Sequence, residues 1–252
     1  MLGTAPVELA RYLTEHGYHP RSSKHGDAMC EFVLRDLHAS CPSLTALASR
    51  GAIVYQTNYT VNQGTPSEWT IDLVLGPKND RAQLQGPYIA RDDPTKVWIA
   101  IDAKAIMTEH GKARRNRQRD LNSMAEILHR MEPTPITGAY VAINMAAEFR
   151  SPLRNAATRH RNIERIVAQT IPLMMEILED ERSGRPGLDA MGVTVLDYSN
   201  TPMSVCRLVQ AQPAPDGGSR LYYDNFIARV CEKFTARYGQ LDGLNTSNVL
   251  ST

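Results

Sequence analysis

An α/β fold, a central mixed β-sheet flanked by helices, is what this sequence predicts, on three observations. Apolar residues fill both alternation classes from Val97 to Ile101, the pattern of a strand buried on both faces. A helix-forming segment from Thr108 to Arg130 follows, and then a second buried-strand pattern at Gly138 to Asn144. A strand, helix, strand order of this kind packs as a right-handed crossover in a mixed or parallel sheet. Upstream, β-branched and aromatic residues between Ala52 and Leu75, broken at Asn62 to Pro66, predict a β-hairpin.

Taken in order, Thr4 offers an N-cap, with Pro6 in the first turn and an early carboxylate, for an amphipathic helix ending near Gly17. After a polar turn at Pro20 to Gly26, Met29, Phe32, Val33 and Leu37 recur at helical spacing, and Asp27 is placed to cap that helix. Glu31 sits beside its apolar stripe, as a solvated flank residue or an inward-facing carboxylate. The hairpin follows, then a polar connection from Lys78 to Lys96 that reads as a surface loop with a possible function. Beyond the crossover, Glu148 to Arg165 is a polar, basic region with Arg150, Arg154, Arg159, His160, Arg161 and Arg165. Ile166 to Leu178 reads as a helix bent by Pro172, Ser183 to Gly187 as a breaker, and Met191 to Ser199 and Ser204 to Ala211 as strands. Tyr222 to Tyr238 closes the chain as an amphipathic helix, and the tail after Gly239 is expected to be loosely ordered.

The 252 residues suffice for one domain with a substantial core. Lys and Arg total 28 against 27 Asp and Glu, so net charge argues neither for nor against nucleic acid, and local distribution must decide. Cys30, Cys41, Cys206 and Cys231 are far apart without CxxC spacing, which speaks against a zinc module or a disulfide framework and for reduced thiols. No window has the apolar length of a membrane span, and acid and base come too early for a signal peptide. A soluble cytoplasmic protein is expected. P-loop, Rossmann and GxSxG signatures are missing, which argues against nucleotide hydrolysis, dinucleotide redox chemistry and the common esterase design. His110, His129 and His160 lack HxH or HExxH spacing; such scattered histidines are packing or surface residues more often than ligands.

The chemistry gathers around the buried strand. Asp102 and Lys104 project from one face of it, where charge needs a partner or a metal. Asp72 interrupts the second hairpin strand, a place from which aspartate is depleted, and could satisfy a backbone group, pair with an arginine, or belong to a site. Lys112, Arg114, Arg115, Arg117 and Arg119 then crowd the first half of the next helix with only Glu109 and Asp120 nearby. Such a run is either a solvated surface helix or a phosphate-facing one.

Asp72 in one strand and Asp102-Ala103-Lys104 in the next resemble the D…(D/E)xK pattern of the PD-(D/E)XK nuclease superfamily, especially its restriction-endonuclease-like members. Ile71 stands where the signature usually has proline, Asp102 replaces the commoner glutamate, and Glu31 matches an acidic residue found on an early helix of such nucleases. The resemblance covers a core from about residue 25 to 145 of one nuclease domain spanning 1–252. Residues 146–240 match no motif and are expected to complete the fold and to add DNA or dimer surface. It implies a restriction-endonuclease-like α/β core, with Asp72, Asp102 and the Ala103 carbonyl as metal ligands and Glu31 supporting a second ion or holding a water. Mg²⁺, for which Mn²⁺ can substitute, prefers such oxygen donors and reverses the repulsion between paired carboxylates. It further implies that Lys104 orients the attacking water and that cleavage leaves 5′-phosphate and 3′-hydroxyl ends.

The reading is therefore a Mg²⁺-dependent, sequence-specific type II restriction enzyme acting on double-stranded DNA. Lys112, Arg114, Arg115, Arg117 and Arg119 would contact DNA, a two-fold homodimer would cut both strands, and a cognate methyltransferase would act on the same site. Its rivals are a repair, recombination or mobile-element nuclease of the same superfamily and a non-catalytic DNA-binding module.

Overall fold

The computed structural model describes residues 3–79, 89–131, 134–154, 156–179 and 184–240. Three helices open the chain: α1 (Ala5–His16), α2 (Lys24–Ser40) and α3 (Pro42–Ser49). The hairpin strands β1 (Ile53–Val61) and β2 (Trp69–Pro77) follow, then a short β3 (Ala90–Arg91) and the buried strand β4 (Ile99–Ile106). Helix α4 (His110–Leu128) crosses over to β5 (Ile136–Asn144), and β6 (Glu148–Phe149) pairs with β7 (Thr158–Arg159) as a separate two-stranded sheet. The chain closes with α5 (Ile163–Met175), β8 (Ala190–Asp197), β9 (Arg207–Leu208) and α6 (Tyr223–Tyr238).

The central sheet has seven strands in the order β3-β1-β2-β4-β5-β8-β9. β4, β5 and β8 are parallel, β1, β2 and β4 antiparallel in turn, so the sheet is mixed. Alternating side chains serve two apolar layers. Leu73, Leu75, Ile99, Ile101 and Tyr140 pack with α1, α2, α3 and α6. Val74, Ala100, Ala139, Val141 and Val193 pack with α4 and α5 on the other face. Every residue of β5 is buried, as a central parallel strand covered on both faces requires. Where α6 crosses β8, a Cβ on Gly192 would stand 3.0 Å from the Phe226 ring and 3.1 Å from Tyr223, so a larger residue there would require the α6 aromatics to shift.

Several expectations need correction. Thr4 precedes α1 but makes no side-chain cap; its hydroxyl donates instead to Asp36 Oδ1 at 2.8 Å, a tertiary partner that local capping rules cannot see. Ser23 is the N-cap position of α2, so Asp27 lies inside the first turn rather than capping it. α3 escapes the sequence pattern, being short and headed by Pro42. The strand expected over Ser204 to Ala211 shrinks to Arg207–Leu208, and the basic region after Glu148 contains the β6–β7 pair. α5 begins at Ile163 and ends at Met175 with Pro172 inside it. The tail beyond residue 240, Pro133, Ser183 and residues 80–88 of the Lys78–Lys96 connection lie outside the described residues. Among the described residues, no helix is long and apolar enough to cross a membrane.

Candidate active site

Asp72, Asp102 and Lys104 come together where β2 and β4 part. The two strands pair through Leu75↔Ile99, Val74↔Ala100 and Leu73↔Ile101, and there the ladder stops, while β4 stays paired to β5 as far as Ile106. Side-chain oxygens fill the fork. Ala103 N–H donates to Asp72 Oδ2 at 2.8 Å, and Asp72 N–H points at Asp102 Oδ1 at 3.4 Å. An aspartate in this strand thus has its explanation: its carboxylate satisfies the backbone group that the diverging strand leaves behind.

Lys104 Nζ stands 2.7 Å from Asp102 Oδ2 and 3.2 Å from Asp72 Oδ2. The predicted shared face of Asp102 and Lys104 is therefore present. The Asp102 side chain has 0 % exposure, and burial first, then the Asp72 charge, pushes its carboxyl up to about 7 against the pull of Lys104. Burial works against the Lys104 ammonium too, but the Asp102 and Asp72 carboxylates outweigh it and raise its pKa above the ordinary lysine value. The Lys104 contact lies off the hydrogen-bond direction at Asp102 Oδ2, so this buried oxygen has no aligned donor.

A cleft of about 220 Å³ opens over this cluster. Asp72, Ala103 and Lys104 form one wall; His25 and Asp27 from α2, Asn58 from β1 and Arg117 from α4 face them. Glu31 does not belong. It lies one turn further along α2, is exposed, pairs with Arg35 at 3.1 Å, and lines an adjoining hollow of about 450 Å³ that shares Asp27 and Asn58 with the cleft. A helix advances about 6 Å in four residues, so the acid that reaches the cleft is Asp27 at the helix start. Asn58 faces Asp72 across the hairpin, between the pairs Thr57↔Leu73 and Tyr59↔Ile71, and its amide donates to Asp27 Oδ1 at 3.3 Å. Its φ of 53° is left-handed, unusual inside a strand and of the kind that clusters at functional sites. Its sequence signal was an asparagine in an otherwise β-forming run. His25 has its pKa lowered by burial first, with Asp27 and Asp72 opposing, so its imidazole is neutral at pH 7.

The cations of α4 divide between two faces. Lys112, Arg115 and Arg119 are exposed, whereas Arg114 and Arg117, three residues apart, turn inward. Arg117 reaches the cleft, donating from Nη1 to Asp120 Oδ2 at 3.0 Å while its buried Nε has no acceptor. Arg114 Nε and Nη1 are buried without an acceptor as well. His110 is a core residue, 2 % exposed: Nε2–H donates to the Asn144 carbonyl at 2.6 Å, and burial pushes its pKa down to about 4. In the second basic region, Arg154 pairs with Glu109 and Arg159 lies 3.9 Å from Glu148.

Among the described residues, no three His, Cys, Asp or Glu side chains are grouped to hold a metal ion. Two carboxylates meet, Asp72 and Asp102, with Ala103 between them and the Asp102 Oδ2 lone pairs without an aligned donor. That donor set fits Mg²⁺, which takes one or two protein carboxylates and keeps its waters, and does not fit zinc, which needs three or four protein ligands. Compared with protein-family models, with curated proteins and with solved structures, the chain finds no match.

Proposed function

We propose that this chain is a Mg²⁺-dependent endodeoxyribonuclease with a restriction-endonuclease-like core, hydrolysing phosphodiester bonds in double-stranded DNA. The observation that carries the proposal is the Asp72–Asp102–Lys104 cluster at a strand fork, opening into a cleft that Arg117 also lines. Buried carboxylates this close are costly unless a cation shares them, as the Lys104 ammonium does and as Mg²⁺ would when bound, and a cleft that Arg117 lines suits a polyanion.

Mg²⁺, with Mn²⁺ able to replace it, supplies Lewis acidity and lowers the pKa of water when bound. Asp72, Asp102 and the Ala103 carbonyl would hold it. Lys104 is tethered at the cleft wall by both acids, so its ammonium can orient the attacking water and stabilise charge on the phosphoryl oxygens. Arg117 fixes the backbone of the strand being cut, and Lys112, Arg115 and Arg119 add charge along the helix. Water attacks phosphorus, the P–O3′ bond breaks, and the departing 3′-oxygen takes a proton, which leaves a 5′-phosphate and a 3′-hydroxyl. A sequence-specific cytoplasmic restriction enzyme, working as a homodimer with a methyltransferase of the same site specificity, is the biological form of this reading.

Supercoiled plasmid incubated with the full chain and Mg²⁺ tests it. Discrete linear products are expected, abolished by EDTA, Asp102→Asn or Lys104→Ala, with DNA binding retained in both variants. Normal cutting by both variants sinks the site assignment. DNA binding without Mg²⁺-dependent cutting by the wild type establishes a binding module instead, and cutting confined to ends or branches points to repair.

A further inference from the structure

Cys41 and Cys231 are separated by 190 positions in the chain and meet where the junction of α2 and α3 packs against α6. Cys41 is fully buried, and its Sγ lies 4.0 Å from the Cys231 carbonyl oxygen, which brings the two side chains side by side. Cys231 is half-buried, which gives small solutes an approach to the pair from its side. The other two cysteines are different. Cys30 is buried with its thiol held well up by burial, Cys206 is pushed up to about 12 by burial, and neither has a second cysteine beside it.

The surroundings favour a thiolate on Cys41 in particular. It is the N-cap residue of α3, with no side-chain capping bond, and the backbone of Leu44 and Ser43 at the helix start favours negative charge there. The neighbouring Cys231 side chain, foremost, and Thr235 favour the charged form, and against the opposing effect of burial the Cys41 thiol is held down at about 7. The Cys41 side chain in turn raises Cys231. One sulfur is thus prepared to attack and the other is kept protonated within reach. A nucleophilic thiolate beside a resolving thiol is the arrangement that reversible thiol oxidation requires.

We propose that Cys41 and Cys231 form a thiol–disulfide site oxidised by hydrogen peroxide, cross-linking the start of α3 to α6. The Cys41 thiolate attacks one peroxide oxygen, the O–O bond breaks, and the departing hydroxide takes a proton and leaves as water. The Cys231 sulfur then attacks the Cys41 sulfenic sulfur. An S–S bond forms, the S–O bond breaks, and the Cys231 proton leaves with the hydroxyl as a second water. Two thiols lose two electrons and two protons, and one peroxide becomes two waters. The bond closes a loop through β1 to β9, so the oxidised unfolded chain is much more restricted than the reduced one.

The full chain is treated with hydrogen peroxide, alkylated under denaturing conditions and mapped without reduction. The expected product is lighter by two hydrogens and yields one linked peptide pair joining Cys41 to Cys231, lost on adding dithiothreitol. Its Tm should rise on the order of 5–10 °C and return on reduction. Cys231→Ser should stop at the sulfenic acid, captured on Cys41 by dimedone. The proposal is overturned if both cysteines remain alkylatable after treatment, if Cys41 goes only to sulfinic acid in the wild type, or if the linkage joins another pair. The wild-type map decides the matter even where a variant fails to fold.

Discussion

Asp72 Oδ2 accepts the backbone N–H of Ala103 at 2.8 Å, and through that bond the hairpin and β4 share one carboxylate. The bond joins the sheet's structure to its chemistry, because the oxygen that completes the fork also lies 3.2 Å from the Lys104 ammonium. The variants below separate the two contributions.

Asp27 and Glu31 differ in their access to the cleft. Asp27→Asn is expected to lower cleavage at least tenfold, since it changes the charge facing Asp72 and the acceptor of Asn58. Glu31→Gln should stay within about a factor of two, the usual scale for an exposed i,i+4 ion pair. Cleavage rates on one plasmid substrate distinguish them, and the reverse order would restore Glu31 to the site.

Arg117→Ala should cut DNA affinity and turnover together. Arg115→Ala, on the exposed face, should only flatten the dependence of log affinity on log salt by about one unit, uniformly across sequences. Fluorescence anisotropy with Ca²⁺ in place of Mg²⁺ reads both variants. Equal losses would mean that the two faces of α4 are not functionally distinct.

His110 predicts an acid limit to stability. Its pKa falls from 6.5 in the unfolded chain to about 4 in the fold, so the unfolded state binds the extra proton first. The contribution is whole above pH 6.5, shrinks as pH drops through that window, and is gone near pH 4, with at most about 3 kcal/mol involved. Urea midpoints between pH 7 and 4 check it. His110→Asn should flatten the slope; an unchanged slope would locate the acid sensitivity elsewhere.

Asp36 ties the chain's start to its end. Its carboxylate is 4 % exposed and accepts Thr4 N–H, Thr4 Oγ1, Ala5 N–H and the Tyr223 hydroxyl, all at 2.8–2.9 Å. Asp36→Ala strands these donors in the core and should cost about 3–5 kcal/mol in urea unfolding, with m unchanged. A loss below 1 kcal/mol would show that the donors find other partners.

The sheet's centre was legible in the sequence because burial on both faces leaves an unbroken apolar run, as in β4 and β5. The pairing of Asp102 with Lys104 was equally legible, since strand alternation is local. The meeting of Asp72 and Asp102 was not, because it depends on an antiparallel register between segments 30 residues apart. Asp27 was misplaced for a related reason. Read as a cap, it stood outside the helix, whereas it lies in the first turn and lines the cleft, with Glu31 one turn further along. The run of cations on α4 was counted as charge without assigning faces, although the helical period already sets Arg114 and Arg117 apart from Lys112, Arg115 and Arg119. Asn58 and the packing of Cys41 on Cys231 arise from tertiary contacts that no local pattern encodes.

Both rims of the seven-stranded sheet are blunt. β3 and β9 are two residues long, each with an arginine, Arg91 and Arg207. At these two strands a second copy adding itself edge to edge would find two residues of backbone to bond and a positive charge in the way, a device by which natural sheets resist running on into fibres. Helices and loops are the broader surfaces left for self-association, in a working pair or otherwise. A two-fold partner that kept the cleft open would have to approach from those surfaces and leave the β2–β4 fork to DNA.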